Sequence, residues 1–494
     1  MSGAPAEVAV VGEYHPITEG KATILFPNTN EVFYNPVQQF NRDMSIAAIK
    51  TWGKEYLEQK QNKRKGGASD EAAPSGFSVL EALSATGLRS IRYAKEIESL
   101  DYVVANDIEA DAVRSIRRNI AHNGLTEEKV RPSERDACAL MYESRDPAKR
   151  FDVIDLDPYG SASPFLDGAV QAVADGGLLC ITCTDLAILS GSSHPETCFA
   201  KYGGSPVRAE FCHEMALRLV LHALQTSAAR YKRVITPLAS FSIDFYIRMF
   251  VRVHTSPKDV KRTASKTSMV YHCTGCKSFT MQALGKVTTD GKNEKFGVSA
   301  GPAANGPCEH CGHTLHVGGP FWGAAIHDAD FLSRMLAHVK ESKELYVTQP
   351  RMVGMLSVAS EELDTPFYYT MSSLAAAVQG NNPPIQALFS ALLNLGYKVS
   401  GSHAARGSLK TNAPTSVVWD VMRTWIKSHP VVEKNIKPTA PAARLLAVEP
   451  SAQVDFTVHP KANPDSRKHK LVRYQENPEK YWGPKARAKR ARKE

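Results

Sequence analysis

The feature that most constrains the fold is a regular alternation of short apolar runs and helix-like segments over residues 77–253. The apolar runs of strand length lie at 77–83, 102–105, near 130, at 151–156 and at 178–182. Strands that alternate with helices across short loops predict a parallel, doubly wound α/β sheet. A helix over 206–228 and two closely spaced runs at 234–241 and 245–253 then predict an antiparallel pair at the edge.

Seven strands that end in an antiparallel pair are typical of a Rossmann-like, S-adenosylmethionine-dependent methyltransferase. The first strand runs into a loop with a single glycine, Gly87, where a dinucleotide-binding loop has G-x-G-x-x-G. The loop therefore lacks the glycines with which a dinucleotide-binding loop holds a pyrophosphate. The layout favours a methyltransferase domain over a nucleotide-dependent dehydrogenase.

The residues around Gly87 suit S-adenosylmethionine, which needs an acid, a close backbone approach and a cation for its carboxylate. Glu81, Gly87 and Arg89 can fill these roles, although the segment also fits an ordinary strand-to-helix turn. Asp107 follows the second strand, 20 residues after Gly87. A carboxylate there can accept both ribose hydroxyls, or it can cap a helix. Asp136 follows the third strand and can accept from the adenine amine or cap a turn.

The most specific signal is the sequence Asp-Pro-Tyr-Gly at 157–160, directly after the fourth strand. The Asp157 carboxylate and the Pro158 carbonyl can hold the two protons of an exocyclic amine, and proline stiffens the turn. Tyr159 can stack on a base. This aromatic residue lies one position earlier than in the [D/N]-P-P-[F/Y] sequence of adenine methyltransferases. A simple Asp-Pro turn is the alternative.

Two C-x-x-C pairs predict a metal site. They are Cys273 with Cys276 and Cys308 with Cys311, and 31 residues separate the pairs. Four thiolates suit one tetrahedral zinc ion and leave no open position for catalysis. We therefore expect structural zinc rather than a redox pair or free thiols, with the Gly/Lys/Asn-rich spacer looped out.

Composition changes divide the chain into three parts. Residues 1–254 are expected to form the methyltransferase domain, with a disordered insertion at 60–76. Residues 255–460 are expected to form a zinc-containing α+β domain with a winged-helix-like part. Residues 461–494 form a basic tail that carries twelve Lys/Arg and four acids, so most of the net charge of +9 lies there. Such a concentrated charge favours a polyanionic partner.

The chain resembles the tRNA guanine-26 N2-dimethyltransferase family over about 20–459. The resemblance rests on motifs at 33–36, 41–43, 85–90, 106–107, 157–160, 201–203 and 410–414, and on the C-x-x-C pairs. It implies the transfer of one and then two methyl groups from S-adenosylmethionine to the N2 amine of a tRNA guanine.

The same resemblance implies roles for single residues. Asp157 would be the catalytic carboxylate. The residues that would line the cofactor are Arg42, Arg89, Asp107, Asp136 and Ala137. Composition and spacing alone would not have selected Arg42, which lies outside the predicted sheet.

The C-terminal half would hold the tRNA. Candidate contacts are His403, Arg406 and Lys410, predicted in a loop, together with Arg467, Lys468 and Lys470 of the tail. A solvated loop and a nuclear-import signal are alternative uses of these residues. We expect a tRNA partner, no membrane and no obligate protein partner. We expect a nuclear protein, with the cytoplasm and the mitochondrion as alternatives.

Two rival functions remain at this stage. One is an amino-methyltransferase that acts on a different RNA guanine or on adenine. The other is a non-catalytic tRNA-binding protein or chaperone with a relic sheet domain. The presence of Gly87, Asp107 and Asp157 together argues against a relic.

Overall fold

The computed structural model describes residues 14–27, 34–65, 76–191, 193–291, 293–432, 434, 436–469 and 471–475. The N-terminal elements are the antiparallel strands β1 (Tyr14–Glu19) and β2 (Ala22–Pro27) and the helix α1 (Gln39–Lys65). Helix α1 contains residues 60–65, so this part of the predicted disordered insertion is wrong. Its Gln, Lys and Arg residues are good helix formers and continue the helix. Residues 66–75 lie outside the described residues.

The next elements build the central sheet. In chain order they are β3 (Phe77–Glu81), α2 (Leu88–Glu96), β4 (Leu100–Asp107), α3 (Ala110–His122), β5 (Val130–Glu134), α4 (Ala137–Glu143), β6 (Phe151–Leu156), α5 (Ser163–Ala172), β7 (Val173–Cys183), α6 (Leu186–Leu189), α7 (Pro195–Tyr202), α8 (Cys212–Arg230), β8 (Arg233–Ile243) and β9 (Tyr246–Thr255). The strand order is β5-β4-β3-β6-β7-β9-β8, and β9 is antiparallel to both of its neighbours. The predicted sheet is confirmed, although the helix expected at 206–228 begins only at Cys212.

The sheet is buried on both faces, which explains why its strands are almost continuously apolar. Neighbouring residues of one strand belong to different cores. Val79 and Val153 pack in the core on one face, whereas Leu80 and Ile154 pack in the core on the other. The parallel strands β3, β4, β5 and β6 end at a common edge, and the loops that follow them form the candidate active site.

The chain then forms a smaller β region around the cysteines. Its elements are α9 (Pro257–Val260), β10 (Thr267–Cys273), β11 (Phe279–Ala283), β12 (Gly285–Asp290), β13 (Asn293–Val298) and β14 (Leu315–Trp322). Strands β11, β10 and β14 form one antiparallel sheet. The spacer between the C-x-x-C pairs contains the separate hairpin β12–β13.

The last region is mainly helical. Its elements are α10 (Ala329–Glu341), α11 (Gln349–Ser360), β15 (Tyr369–Thr370), α12 (Met371–Ala377), α13 (Ile385–Asn394), β16 (Val399–Ser402), β17 (Ala405–Thr411), α14 (Thr415–Ser428), α15 (Pro441–Leu446) and α16 (Asp465–Lys468). Strands in the order β15-β17-β16 lie beside α12 and α13. The winged-helix-like character of this part remains a prediction. The predicted loop before α14 is wrong, because β17 occupies it.

The sequence changes in composition near residue 255, where a domain boundary was expected, but residues on both sides of this position pack in one core. Phe331 of α10 and Met352 of α11 share one buried core with Trp52 of α1 and Val79 of β3. The C-terminal region therefore covers one face of the methyltransferase sheet. Among the described helices, none combines the length and apolar character that a membrane span requires.

Candidate active site

The Asp-Pro-Tyr-Gly turn lies where β6 ends, at the common edge of the parallel strands. Pro158 is buried, the Asp157 side chain is 25% exposed and Tyr159 is 54% exposed. Thr184 fixes the end of the turn through two hydrogen bonds with Gly160. The Gly160 amide donates to Thr184 Oγ1 at 2.8 Å, and the Thr184 amide donates to the Gly160 carbonyl at 2.8 Å. The turn is thus fixed in position while its acid and its aromatic ring reach solvent.

A buried tyrosine gives the turn a second support. The hydroxyls of Tyr202 and Ser161 lie 2.6 Å apart, and Tyr202 also donates to both Asp185 carboxylate oxygens at 3.0 Å. Burial raises the pKa of Tyr202, so its hydroxyl remains a donor. Lys201 Nζ lies 3.4 Å from Asp185 Oδ2. The Lys-Tyr-Gly motif at 201–203 therefore supports the Asp-Pro-Tyr-Gly turn.

We expect Tyr202→Phe to lower kcat by about tenfold and to cost about 1–2 kcal/mol of stability, because Asp185 loses a buried donor. Single-turnover methylation and thermal unfolding would measure the two effects. Tyr231→Phe is the matched control, since Tyr231 is exposed and donates to Asp167 at 3.1 Å, away from the turn. Equal losses in both variants would contradict a specific role for Tyr202.

Arg89 of α2 connects the turn to the interior of the protein. Its guanidinium forms an ion pair with Asp157 Oδ2, lies 3.6 Å from Asp155 Oδ2 and donates to Ser45 Oγ at 3.0 Å. Burial opposes the charge, but the Asp157 and Asp155 carboxylates raise the pKa of Arg89 well above its usual value. Arg89 thus orients the Asp157 carboxylate through one oxygen. The predicted direct contact of Arg89 with the cofactor remains a prediction.

A fully buried charge network lies beneath this ion pair. Arg248 of β9 donates to both Asp155 oxygens at 2.8 and 2.9 Å, and it donates to Ser45 Oγ at 2.7 Å. The Tyr93 hydroxyl donates to Asp155 as well. Burial would raise the pKa of Asp155, but the charges of Arg248 and Arg89 lower it. The network joins α1, α2, β6 and β9 below the Asp-Pro-Tyr-Gly turn.

We expect Asp155→Asn to lower the free energy of unfolding by about 3–5 kcal/mol, because two buried arginines lose their counter-charge. Chemical denaturation at neutral pH would measure this loss. Asp111→Asn is the control, since Asp111 is exposed and forms a surface ion pair with Arg114. That variant should change stability by less than about 1 kcal/mol. A comparably small effect at Asp155 would contradict the role of the network.

Gly87 and Asp107 meet at the cofactor side of the edge. Gly87 has a φ of +77° at the start of α2, and a Cβ there would lie 3.2 Å from Ile116 Cγ1. The Ala85 amide donates to Asp107 Oδ2 at 2.8 Å, and the Glu109 amide donates to Oδ1 at 3.1 Å. Asp107 therefore fixes the glycine loop and is half-buried. Each of its oxygens can accept a further hydrogen bond.

The other predicted cofactor residues have defined partners within the protein. Glu81 is buried below the loop, where it accepts from the Ser90 amide at 3.0 Å and from the Ser90 hydroxyl. Burial raises the pKa of Glu81 to about 7. Asp136 is exposed and caps α4 by accepting from the Ala139 amide at 2.8 Å, beside buried Ala137. Direct cofactor contacts of these residues remain predictions.

Arg42 lies on α1 and binds the N-terminal hairpin. Its Nε donates to Glu19 Oε1 at 2.6 Å, and it also donates to the Asn35 carbonyl at 3.2 Å. Glu19 pairs with Arg92 Nη1 at 2.8 Å too. A role of Arg42 at the cofactor remains a prediction. Phe33, considered as a second stacking residue, lies outside the described residues.

Sequence reasoning missed Ile108, which directly follows Asp107. Its side chain is 61% exposed at the end of β4, although it is large and apolar. An exposed apolar residue next to the acid that is predicted to bind the ribose suits the face of an adenine ring. The signal was present in the sequence as an isoleucine after a strand-ending Asn-Asp pair. In the sequence, Tyr202 is distinguished only as part of the Lys-Tyr-Gly motif, and no motif or spacing distinguishes Thr184.

The four predicted metal ligands converge. The sulfur atoms of Cys273, Cys276, Cys308 and Cys311 all lie within 4.8 Å of one another. The Cys273 and Cys311 sulfurs are 3.4 Å apart, and those of Cys276 and Cys308 are 3.7 Å apart. All four residues are buried. A closed set of four thiolates fits a structural zinc ion.

Two predicted tRNA contacts are wrong, because their side chains are buried. Lys410 is 0% exposed and lies 2.8 Å from Glu362 and 3.1 Å from Glu214. His403 Nε2 accepts from the Ser242 amide at 3.1 Å, so its Nδ1 donates to Glu362 at 2.7 Å. These contacts hold the C-terminal region against β8 and α8. The remaining described candidates are exposed, namely Arg406, Arg467 and Lys468, whereas Lys470 lies outside the described residues.

The sheet order, the glycine loop with Asp107 and the turn at Asp157 together define an S-adenosylmethionine-dependent methyltransferase. The solved structure of Trm1 from Pyrococcus horikoshii in complex with S-adenosyl-L-methionine agrees with this class. It matches with a TM-score of 0.67 and 29% identity, over 82% of this chain and 99% of that protein.

The model of the N2,N2-dimethylguanosine tRNA methyltransferase family matches residues 12–423. The chain belongs to this family, as the sequence motifs predicted. Curated relatives named tRNA (guanine(26)-N(2))-dimethyltransferase include the Schizosaccharomyces pombe protein, at 46% identity over 98% of this chain and 93% of that protein. The human relative is 45% identical over 96% of this chain and 77% of that protein. A relative from Saccharomyces cerevisiae, named as mitochondrial, is 41% identical over 97% of this chain and 93% of that protein.

Proposed function

We propose that the protein transfers one and then two methyl groups from S-adenosylmethionine to the N2 amine of guanine 26 in tRNA. The observation that carries this proposal is the position of Asp157. Its carboxylate reaches solvent at the sheet edge, beside the exposed ring of Tyr159 and above the Arg89 guanidinium. The names of the curated relatives support the choice of base and position.

Each residue of the turn has its own role in binding the amine or the base. Arg89 occupies Asp157 Oδ2, which leaves Oδ1 to accept one N–H of the amine. The Pro158 carbonyl accepts the other N–H. Tyr159 stacks on the guanine base after the base has left the helix of the tRNA. Asp157 then accepts the proton that nitrogen loses as the N–C bond forms and the methyl–sulfur bond breaks. After the first methylation Asp157 releases this proton to solvent, and rotation about the C–N bond of the amine brings the one remaining N–H to Asp157 Oδ1 for the second transfer.

The donor set at the neighbouring strand ends fits the cofactor. Asp107 would hold the ribose hydroxyls, and Ile108 would cover one face of the adenine. Arg42 or Arg89 would face the methionine carboxylate, and Asp136 the adenine amine. Bound S-adenosylmethionine supplies an electrophilic methyl group on a positively charged sulfur.

The proposal is tested with labelled S-adenosylmethionine and two tRNA transcripts that differ only in guanine or adenine at position 26. We expect label only on the guanine transcript, and digestion should give N2-methyl- and N2,N2-dimethylguanosine. Label on both transcripts would support an amino-methyltransferase with a different target. Binding of tRNA without any label would support the non-catalytic alternative.

We also propose a nuclear location, on the basis of the basic run at 485–493. That run lies outside the described residues. A fluorescent fusion of the full chain should be nuclear, and removal of 485–493 should disperse it. A mitochondrial signal in both versions would contradict the proposal.

A further inference from the structure

An arginine-lined cavity lies in the winged-helix-like part, away from the catalytic turn. It has a volume of about 230 Å³ and opens between α11, α13, the β16–β17 hairpin and α16. Arg406, Arg467 and Arg473 all line it. Water occupies about 30 Å³ per molecule in the liquid, so the cavity is large enough for a phosphate group with several waters.

The three arginines have no carboxylate partner in the part of the chain that the structure describes. Glu361 is the acid in the cavity wall, and Ser466 occupies both of its oxygens. The Ser466 amide donates to Glu361 Oε1 at 2.9 Å, and its hydroxyl donates to Oε2. Glu361 therefore keeps its charge and fixes the start of α16, and it forms no ion pair with the three arginines among the described residues.

Two of the arginine side chains, those of Arg467 and Arg473, are held by contacts within the protein. The Arg467 guanidinium lies over the Phe389 ring, 5.9 Å from its centroid. Arg473 donates to the Ser402 carbonyl at 3.1 Å, while its buried Nε has no acceptor among the described residues. A buried N–H without an acceptor costs free energy. Burial and the neighbouring charge of Arg473 lower the pKa of Arg467, as expected for two guanidiniums held close together.

Arg473 also connects the cavity to the catalytic edge. Its carbonyl accepts from Arg351 Nε at 3.4 Å, and Arg351 pairs with Asp244 at 2.7 Å. Asp244 lies in the turn between β8 and β9, and the start of β9 pairs with Cys183 at the carboxyl end of β7. The cavity and the catalytic turn are therefore joined through a short series of contacts.

We propose that this cavity binds a backbone phosphate of the tRNA while the target guanine occupies the catalytic turn. The inference rests on the proposed function for the identity of the polyanion. Guanidinium groups bind phosphate oxygens through paired hydrogen bonds, and three of them outweigh the one engaged acid. The site adds Arg473 to the tRNA contacts expected from the sequence and gives Arg406 and Arg467 a common ligand.

The test measures tRNA dissociation constants over a series of KCl concentrations. Arg467→Ala should weaken binding by about tenfold and lower the slope of log Kd against log salt by about 0.9, the value for one lost phosphate contact. Arg467→Lys should keep the slope and lose less affinity. Arg406→Ala should behave like Arg467→Ala, and the double variant should lose little more of the slope than either single variant, because both arginines bind the same phosphate.

Arg131→Ala is the matched control. Arg131 is exposed and lies over the Tyr102 ring at 3.6 Å, but it belongs to β5 near the opposite edge of the sheet. Equal losses for Arg131→Ala and Arg467→Ala, or an unchanged slope for Arg467→Ala, would overturn the proposal. S-adenosylmethionine affinity and thermal unfolding should be unchanged in all variants, which shows that they are folded.

The two proposals fail in different ways. If the wild-type protein methylates tRNA and the arginine variants bind it normally, only the phosphate site is wrong. If the wild-type protein binds tRNA with the expected dependence on Arg467 but transfers no methyl group, the phosphate site stands and the proposed reaction is wrong.

Discussion

Asp157→Asn should lower the rate of methyl transfer by about 10³-fold while S-adenosylmethionine still binds. The amide keeps the shape of the side chain and one oxygen for the amine, but it cannot accept the proton that the nitrogen loses. It also loses the ion pair that Arg89 forms with Asp157 Oδ2. Single-turnover kinetics with the guanine-26 transcript would measure the rate, and calorimetry would measure cofactor affinity.

Asp167→Asn is the control for this experiment. Asp167 lies on α5, directly after the catalytic turn, and accepts from the Tyr231 hydroxyl at 3.1 Å. Its replacement is the same chemical change outside the site, and we expect a rate within twofold of wild type. Retention of more than a tenth of the wild-type rate in Asp157→Asn would show that proton acceptance by this carboxylate is not required.

Removal of the metal should have the second large effect, on stability. Cys308→Ser should reduce zinc from about one ion per chain to a small fraction and lower the Tm by about 10 °C or more. The cause is that Cys273, Cys276 and Cys311 lose the fourth ligand while their sulfurs remain within 4.8 Å of one another in the interior. Elemental analysis and thermal unfolding of the full chain would measure both changes.

Cys212→Ser is the control for the metal prediction. Cys212 starts α8 and is half-buried outside the cluster, so its replacement should leave the metal content unchanged. Protein purified without metal and with disulfides inside the C-x-x-C pairs would contradict the zinc assignment and support a redox pair.

The sheet and the catalytic turn could be predicted because their signals are local. Strand length, helical spacing and the acids at strand ends are visible in the sequence near Asp107 and Asp157. The supports of the turn were not predictable in this way. Tyr202 reaches Ser161 across 41 residues, and Arg248 meets Asp155 across 93. Only the packed fold brings such pairs together.

The tRNA contacts show why residue type alone misleads. Lys410 and Arg406 lie four residues apart on β17, yet Lys410 is buried and Arg406 is exposed. The strand turns Lys410 towards Glu214 and Glu362, which come from distant segments and compensate its charge. A sequence shows the cation but not the acids that will surround it. Arg473 is the opposite case, because the sequence shows it only as one of the cations of the basic tail, whereas the structure places it in the wall of the cavity.

Because of the hairpin β12–β13, the number of residues between the two C-x-x-C pairs can change without changing the geometry of the metal site. Gly285 pairs with Val298, so the segment leaves and rejoins the β region at nearly the same place. Residues added at its tip would lengthen the spacer without moving Cys276 or Cys308, and the entropy of closing a longer loop grows only slowly. Searches that demand a fixed spacing between C-x-x-C pairs would overlook related chains, whereas the cysteines on either side of a variable hairpin would identify them.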